Sequence, residues 1–187
     1  MNPLSAIEIC NAALIYVGSA YSIDSFEDEY PAGRACRIQF PQSRREFLDN
    51  DHPFTFATTR STLAAVAGVD NCYQLPSDMI KPLSLAGDDN RMNYHIEKDK
   101  LYTTASNPTL IYIQDSADLS WFPPKAITAI QFILASKLSI ILAQDEAKAR
   151  SLQQMALSLI SEVAKSDIKN LELPEMIPFE SQLYGAR

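Results

Sequence analysis

Glycine is scarce in this chain. The 187 residues contain five, at positions 18, 33, 68, 87 and 185, and each stands alone. A phosphate-cradling loop needs several glycines close together, so glycine-rich nucleotide sites are excluded. Three cysteines, Cys10, Cys36 and Cys72, are an odd number at wide spacing with no CxxC pair. That pattern fits reduced thiols buried as small hydrophobes, not a disulfide frame. His52 and His95 are the only histidines, and neither belongs to an HxxxH or HExxH pattern or a Cys/His cluster. His95 and Glu97 share a strand face by their spacing, but two ligands make no site, so no metal is expected. The sequence also lacks GxSxG. No nucleophile with its base is signalled, and the expectation is no catalytic residue, no cofactor and no metal.

Positive charge is the next shortage. Lys and Arg number 16 against 23 Asp and Glu, a net charge of −7. Such a surface repels a phosphate backbone unless its cations are segregated. The one candidate group is Arg34, Arg37, Arg44 and Arg45, which come without an intervening acid. They read as solvated helix charges, or as a small contact face for phosphates or an acidic partner. The aromatic interleaving of single-strand binders is missing. Glu27, Asp28 and Glu29 form an acidic loop suited to capping a following helix; a glycosidase-type carboxylate pair is the enzymatic alternative. The first nine residues lack a basic patch and a long apolar core, so no secretory signal is expected. Asn107-Pro108-Thr109 has proline in the position that blocks glycosylation. The most apolar window, Ala126 to Ala143, is interrupted by Gln131 and Lys137. It reads as a buried helix of a soluble protein, with no membrane partner.

The chain's length suits one compact domain, or a core with a small inserted subdomain. Ser5 and Glu8 form a capping box, and Gly18 supplies a left-handed stop, so the first helix lies between them. Ile7, Cys10, Ala13, Leu14 and Val17 form its apolar face. A second helix is expected from about Glu29 to Asn50, with Ala35, Ile38, Phe47 and Leu48 inward. Pro41 should kink it, or divide it near Phe40. Phe54 to Leu63 reads as a short third helix. Between Cys72 and Gln114 the period shortens to two, as in Met92, Tyr94 and Ile96. Turns are expected at Gly87 to Asn90 and at Glu97 to Lys100, and a short strand at Leu110 to Ile113. Helices return with Lys125 to Ala143 and Asp145 to Asn170, joined tightly into an antiparallel hairpin. The second carries Leu152, Met155, Ala156, Leu159, Ile160 and Val163 on its apolar face, with Gln153 opposite. The fold class expected is mainly α: an antiparallel helical bundle with a small inserted antiparallel β-subdomain and an extended C-terminal tail. The divisions are 1–70 for the N-terminal helices, 71–118 for the insert, 119–170 for the helical hairpin and 171–187 for the tail.

That tail contains Pro174 and Pro178 together with Met176, Ile177, Phe179, Leu183 and Tyr184, and ends on Arg187. So many large apolar side chains need a groove, on this chain or another.

Several short segments, taken in order, resemble one family. Asn11-Ala12-Ala13-Leu14, Gly18 and Ile23 before an acidic loop are followed by Phe40-Pro41, Arg44-Arg45, Phe47-Leu48 and Pro53-Phe54-Thr55-Phe56-Ala57. Tyr73-Gln74-Leu75-Pro76-Ser77-Asp78 and Leu110-Ile111-Tyr112-Ile113 complete the series. The order resembles the head-to-tail adaptor proteins of tailed phages, of the tail tubular protein A type; Phe54 stands where that family commonly has tryptophan. The resemblance implies a helical bundle with a β-insert, assembled as a twelvefold ring in the neck of the virion after synthesis in the host cytoplasm. Such a ring docks on the portal protein, receives the tail nozzle protein and extends the DNA channel without sequence-specific binding or a cofactor. The tail is not matched residue by residue. Its character assigns Met176, Phe179, Leu183, Tyr184 and Arg187 to clefts of the portal. In a ring of about twelve copies the net negative charge would line the passage and keep DNA from sticking. The alternatives are a phage peptidoglycan hydrolase using a carboxylate pair that includes Glu27 or Glu29, and a small soluble interaction module.

Overall fold

Helix α1, Ala6–Val17, begins and ends where its local chemistry dictates. The Ser5 hydroxyl accepts the Glu8 amide at 3.2 Å, and the Glu8 carboxylate accepts the Ser5 amide at 2.6 Å. These bonds hold the Glu8 carboxyl below its usual value. Gly18 closes the helix at φ +84°, a conformation glycine adopts without steric cost. The buried face is Ile9, Cys10, Ala13, Leu14 and Val17, so Ile9 takes the place that periodicity gave to Ile7, which is half-buried.

The computed structural model describes residues 5–86 and 94–171. Helix α2, Pro31–Leu48, runs unbroken through Pro41, not as two helices meeting near Phe40. An interior proline costs about 3 kcal/mol through its missing amide and its ring. Burial of Phe40, Phe47 and Leu48 around it offsets that cost at roughly 2 kcal/mol each. Ile38, expected inward, is exposed. Helices α3, Pro124–Ala143, and α4, Glu146–Leu171, form the expected antiparallel hairpin, turned at Gln144 in the left-handed region. α3 is long and apolar enough to cross a membrane by length and composition, yet most of it is buried against α1, α2 and α4. On α4, Leu152, Ala156, Ile160 and Val163 are buried as expected, but Met155 is exposed. Gln153 is half-buried, with its side-chain carbonyl accepting the Ser136 hydroxyl.

The strands overturn the expected fold class. The described residues are mixed α and β: four helices and two three-stranded antiparallel sheets, not a mainly α bundle with a small insert. The strands are β1 Thr58–Thr62, β2 Cys72–Gln74, β3 Met79–Ala86, β4 Tyr94–Glu97, β5 Lys100–Thr103 and β6 Thr109–Gln114. Phe54 to Leu63 is no helix: one 3-10 turn at Thr55–Ala57 leads into β1. The run Thr58-Thr59-Arg60-Ser61-Thr62 lacks an apolar stripe and is rich in β-branched threonine, which favours the pleated strand.

One sheet has the order β1-β6-β3 and the other β2-β5-β4. Side chains alternate across β6, and that alternation arranges the layers. Ile113 enters the helical core, whereas Leu110 and Tyr112 enter a second cluster with Leu63, Leu75 and Leu101. Thus the first sheet has helices on one face and the second sheet on the other. Pro82 is accommodated because β3 is an edge strand with register shifts on either side of it. The β4–β5 turn falls at Lys98, as expected for Glu97 to Lys100. The expected turn at Gly87 to Asn90, Met92 and the tail beyond Leu171 lie outside the described residues.

Gly33 sits in the first turn of α2 for want of space. A β-carbon there would lie 2.5 Å from the Asp28 carbonyl oxygen. That carbonyl belongs to a loop fixed by the Asp28 carboxylate, which accepts the Asp24 and Ser25 amides. Alanine normally favours a helix by about 1 kcal/mol over glycine. Here the sign reverses: Gly33→Ala should destabilise by about 2 kcal/mol, read as a lower urea midpoint at unchanged slope.

Candidate interaction surface

The four helices bring the C-termini of α1 and α3 and the N-termini of α2 and α4 to one end. Lys148 fixes this end, its ammonium donating to the Val17 carbonyl at 2.9 Å. From Gly18 the chain enters a loop that Asn11 holds in place. Its amide group donates to the Ile23 carbonyl at 2.9 Å and accepts the Ile23 amide at 2.8 Å. Asp28 closes the rest of the loop, so it does not cap α2; α2 starts on Tyr30 with no side-chain cap. This scaffold holds Tyr21 and Tyr30 outward, each 71% exposed. Between them and Leu142 lies a groove of about 470 Å³ whose walls include Val17 and Pro31. Pro31 also lines a second groove of about 310 Å³ with Arg34, Ile38 and Ile141. The two meet at Pro31 as one apolar trough, whose second groove carries both Glu29 and Arg34.

The four arginines do not make one stripe. Arg34 and Arg37 are exposed on α2. Arg44 and Arg45 instead converge on Asp115, each with a contact of 2.6 Å. The Arg44 and Asp115 side chains are 10% and 7% exposed, and Arg44 also lies over the Phe40 ring. Arg45 is 61% exposed. This pair of arginines ties α2 to the chain leaving β6. Sequence alone showed the cations but not their acid, which lies about 70 positions away.

His52 is not a simple surface histidine. It meets the Asp167 carboxylate at 2.9 Å, and the same carboxylate accepts the Thr55 amide at 2.9 Å and the Thr55 hydroxyl. Here the acid stands between the hydroxyl and the imidazole. In a nucleophile relay the imidazole must stand between them, so this arrangement clamps α4 to the segment before β1. Burial acts to raise the Asp167 carboxyl, but the bonds from Thr55 and His52 prevail and hold it below the usual value. His95 and Glu97 share a strand face, 3.6 Å apart and exposed, and no group of three metal-ligating side chains occurs among the described residues.

All three cysteines are free and buried, as the sequence led us to expect. The hydrogen bond to Cys36, together with burial, pushes the Cys10 thiol up. Glu27 and Glu29 are exposed on the loop. Met176, Phe179, Leu183, Tyr184 and Arg187 lie outside the described residues. No family model matches the chain, and no curated protein matches it.

The surface residues that sequence reasoning missed are Tyr21, Tyr30, Ile38 and Ile141. Two aromatics flanking an acidic loop were the available signal. Nothing in a helical period marks Ile38 as one of the isoleucines left exposed.

Two measurements follow from these ties. Arg44→Ala leaves Asp115 buried beside a single exposed partner and should cost about 3 kcal/mol. Arg45→Ala should cost less than about 1 kcal/mol, and denaturant melts of both variants separate the two values. For Asp167 the folded value lies below the free-aspartate value of 3.8. Its stabilisation is complete above that value and is lost as pH falls through the folded one. From about pH 4 downward, the wild type should therefore lose stability more steeply than Asp167→Asn, measured by urea midpoints across pH.

Proposed function

We propose that this protein is a structural virion component, a head-to-tail adaptor of tailed phages. It assembles as a ring of about twelve copies between the portal protein and the tail nozzle protein. DNA passes through that ring without sequence-specific binding, and the excess of acidic residues keeps the passage non-adhesive.

The observation that carries this reading is a mutual pairing of the residues behind the resemblance. Asn11 holds Ile23 by two hydrogen bonds, and both belong to the first segment of the series. The Tyr112 hydroxyl, from the last segment, donates to Asp78, from the one before it, at 3.1 Å. Arg44 and Arg45 together grip Asp115, just beyond β6. These bonds put residues of the series in structural roles that hold loops and layers together, as the resemblance leads one to expect. The apolar trough at the helix ends supports the same reading, because an assembly subunit must leave apolar surface for its neighbours.

Electron microscopy of the purified chain mixed with the portal protein of its own virus tests this. The expected image is an added ring of about twelve subunits beneath the portal. A portal image unchanged at saturating chain concentration overturns the reading.

A further inference from the structure

We infer that the groove walled by Tyr21, Tyr30 and Leu142, at the ends of α1, α2 and α3, is the seat of the Pro174 to Phe179 stretch of a second copy of this chain.

The trough suits an extended, proline-bearing strand. Tyr21, Tyr30 and Pro31 give it aromatic and apolar walls, the lining that extended proline-rich segments occupy elsewhere. Segment 172–187 contains Pro174-Glu175-Met176-Ile177-Pro178-Phe179, two prolines enclosing Met176 and Ile177 with Phe179 directly after. Charge agrees as well. Arg34 lines the second groove together with Glu29, Arg37 stands exposed nearby on α2, and neither arginine makes an ion pair with a described carboxylate, so two cations stand there against one acid. The segment carries Glu172, Glu175 and Glu180 against one arginine.

Reach decides between the chain's own trough and another's. Lys148 stands at the trough end of α4 and Leu171 at the other, separated by about 35 Å of helix. Phe179 lies eight residues beyond Leu171, a span of at most about 29 Å even when fully extended. The Pro174 to Phe179 stretch therefore falls short of Tyr21, Tyr30 and Leu142 in its own copy. A second copy removes that limit. Donation from one copy to the next is a head-to-tail contact, which closes into a ring when the rotation divides the circle. The sequence assigned this segment to portal clefts; the trough offers it a seat that needs no portal. The inference concerns the chain alone and does not depend on the adaptor reading.

Photo-crosslinking of the full chain tests it. Phe179 is replaced by p-benzoylphenylalanine, and ordinary and ¹⁵N-labelled chains are mixed, irradiated and digested for mass spectrometry. The expected links join chains of different label and land on peptides containing Tyr21, Tyr30 or Leu142. Tyr21→Ser with Tyr30→Ser should reduce these links by at least about tenfold. Arg34→Glu with Arg37→Glu, at exposed positions of α2, should reduce them too, which keeps the test intact if the tyrosine variant fails to fold. Links confined to one label, links elsewhere on the surface, no links, or undiminished links in the folded variants overturn the inference. Links that form only with portal protein present, and land on it, return the segment to the portal and overturn the inference as well.

Discussion

A helix that is apolar around its circumference cannot keep a wet face, and α3 is such a helix. Ala126, Ile127, Ala129, Ile133, Ala135 and Leu138 are all buried, and by the helical period they spread around most of the axis. Three partners are needed to enclose them, and α1, α2 and α4 are those partners. At roughly 25 cal/mol per Å² of apolar surface removed from water, enclosing this helix outweighs any single local preference in the domain. That hierarchy accounts for Pro41. The lost amide in α2 is tolerated because breaking the helix there would pull Phe40, Phe47 and Leu48 away from the core around α3.

The same demand reaches the sheets through β6. A strand with Ile113 on one face and Leu110 and Tyr112 on the other has two apolar faces to cover. Helices cover the first and the β2-β5-β4 sheet covers the second. A three-layer order of helices, sheet and sheet follows from alternation in one six-residue strand. β1 needs no apolar stripe of its own, because its main chain pairs along β6 from Thr58 opposite Ile113 to Thr62 opposite Thr109. This is why it was illegible in the sequence. Its strand state is set by a partner fifty positions downstream, whereas Ser5, Glu8, Gly18 and the Glu97 to Lys100 turn were legible because their chemistry is complete within a few residues. The candidate surface divides the same way. The acidic loop after Gly18 could be read directly, but the outward placement of Tyr21, Tyr30 and Ile38 depends on how α1, α2 and α3 converge.

Buried charge falls at the junctions between layers. Arg44 with Asp115 joins α2 to the exit of β6, Asp167 joins α4 to the entry of β1, and Lys81 of β3 donates to the Asn50 carbonyl after α2. Ionic contacts in such places add little net stability over apolar packing. They discriminate strongly against wrong docking, because a displaced sheet would leave a desolvated charge without its partner. Apolar layers alone slide more easily, so these ties fix how the sheets sit on the helices.

These ties all lie at the sheet end of the helices, and that asymmetry gives the molecule a direction. At the opposite end, Lys148 on Val17 and the Asn11 and Asp28 loop bonds fix the backbone but leave Tyr21, Tyr30 and Leu142 lining open apolar surface. One end of the bundle is thus completed by the chain's own strands, while the other has apolar walls and no described segment to fill them. The open end can be covered by the same end of another copy or by a different segment of it, an isologous or a heterologous contact. An isologous dimer would have to bury the same tyrosines against themselves and bring Arg34 and Arg37 toward their own copies. Like-charge approach of that sort works against the symmetric contact, so the charge pattern favours a heterologous one.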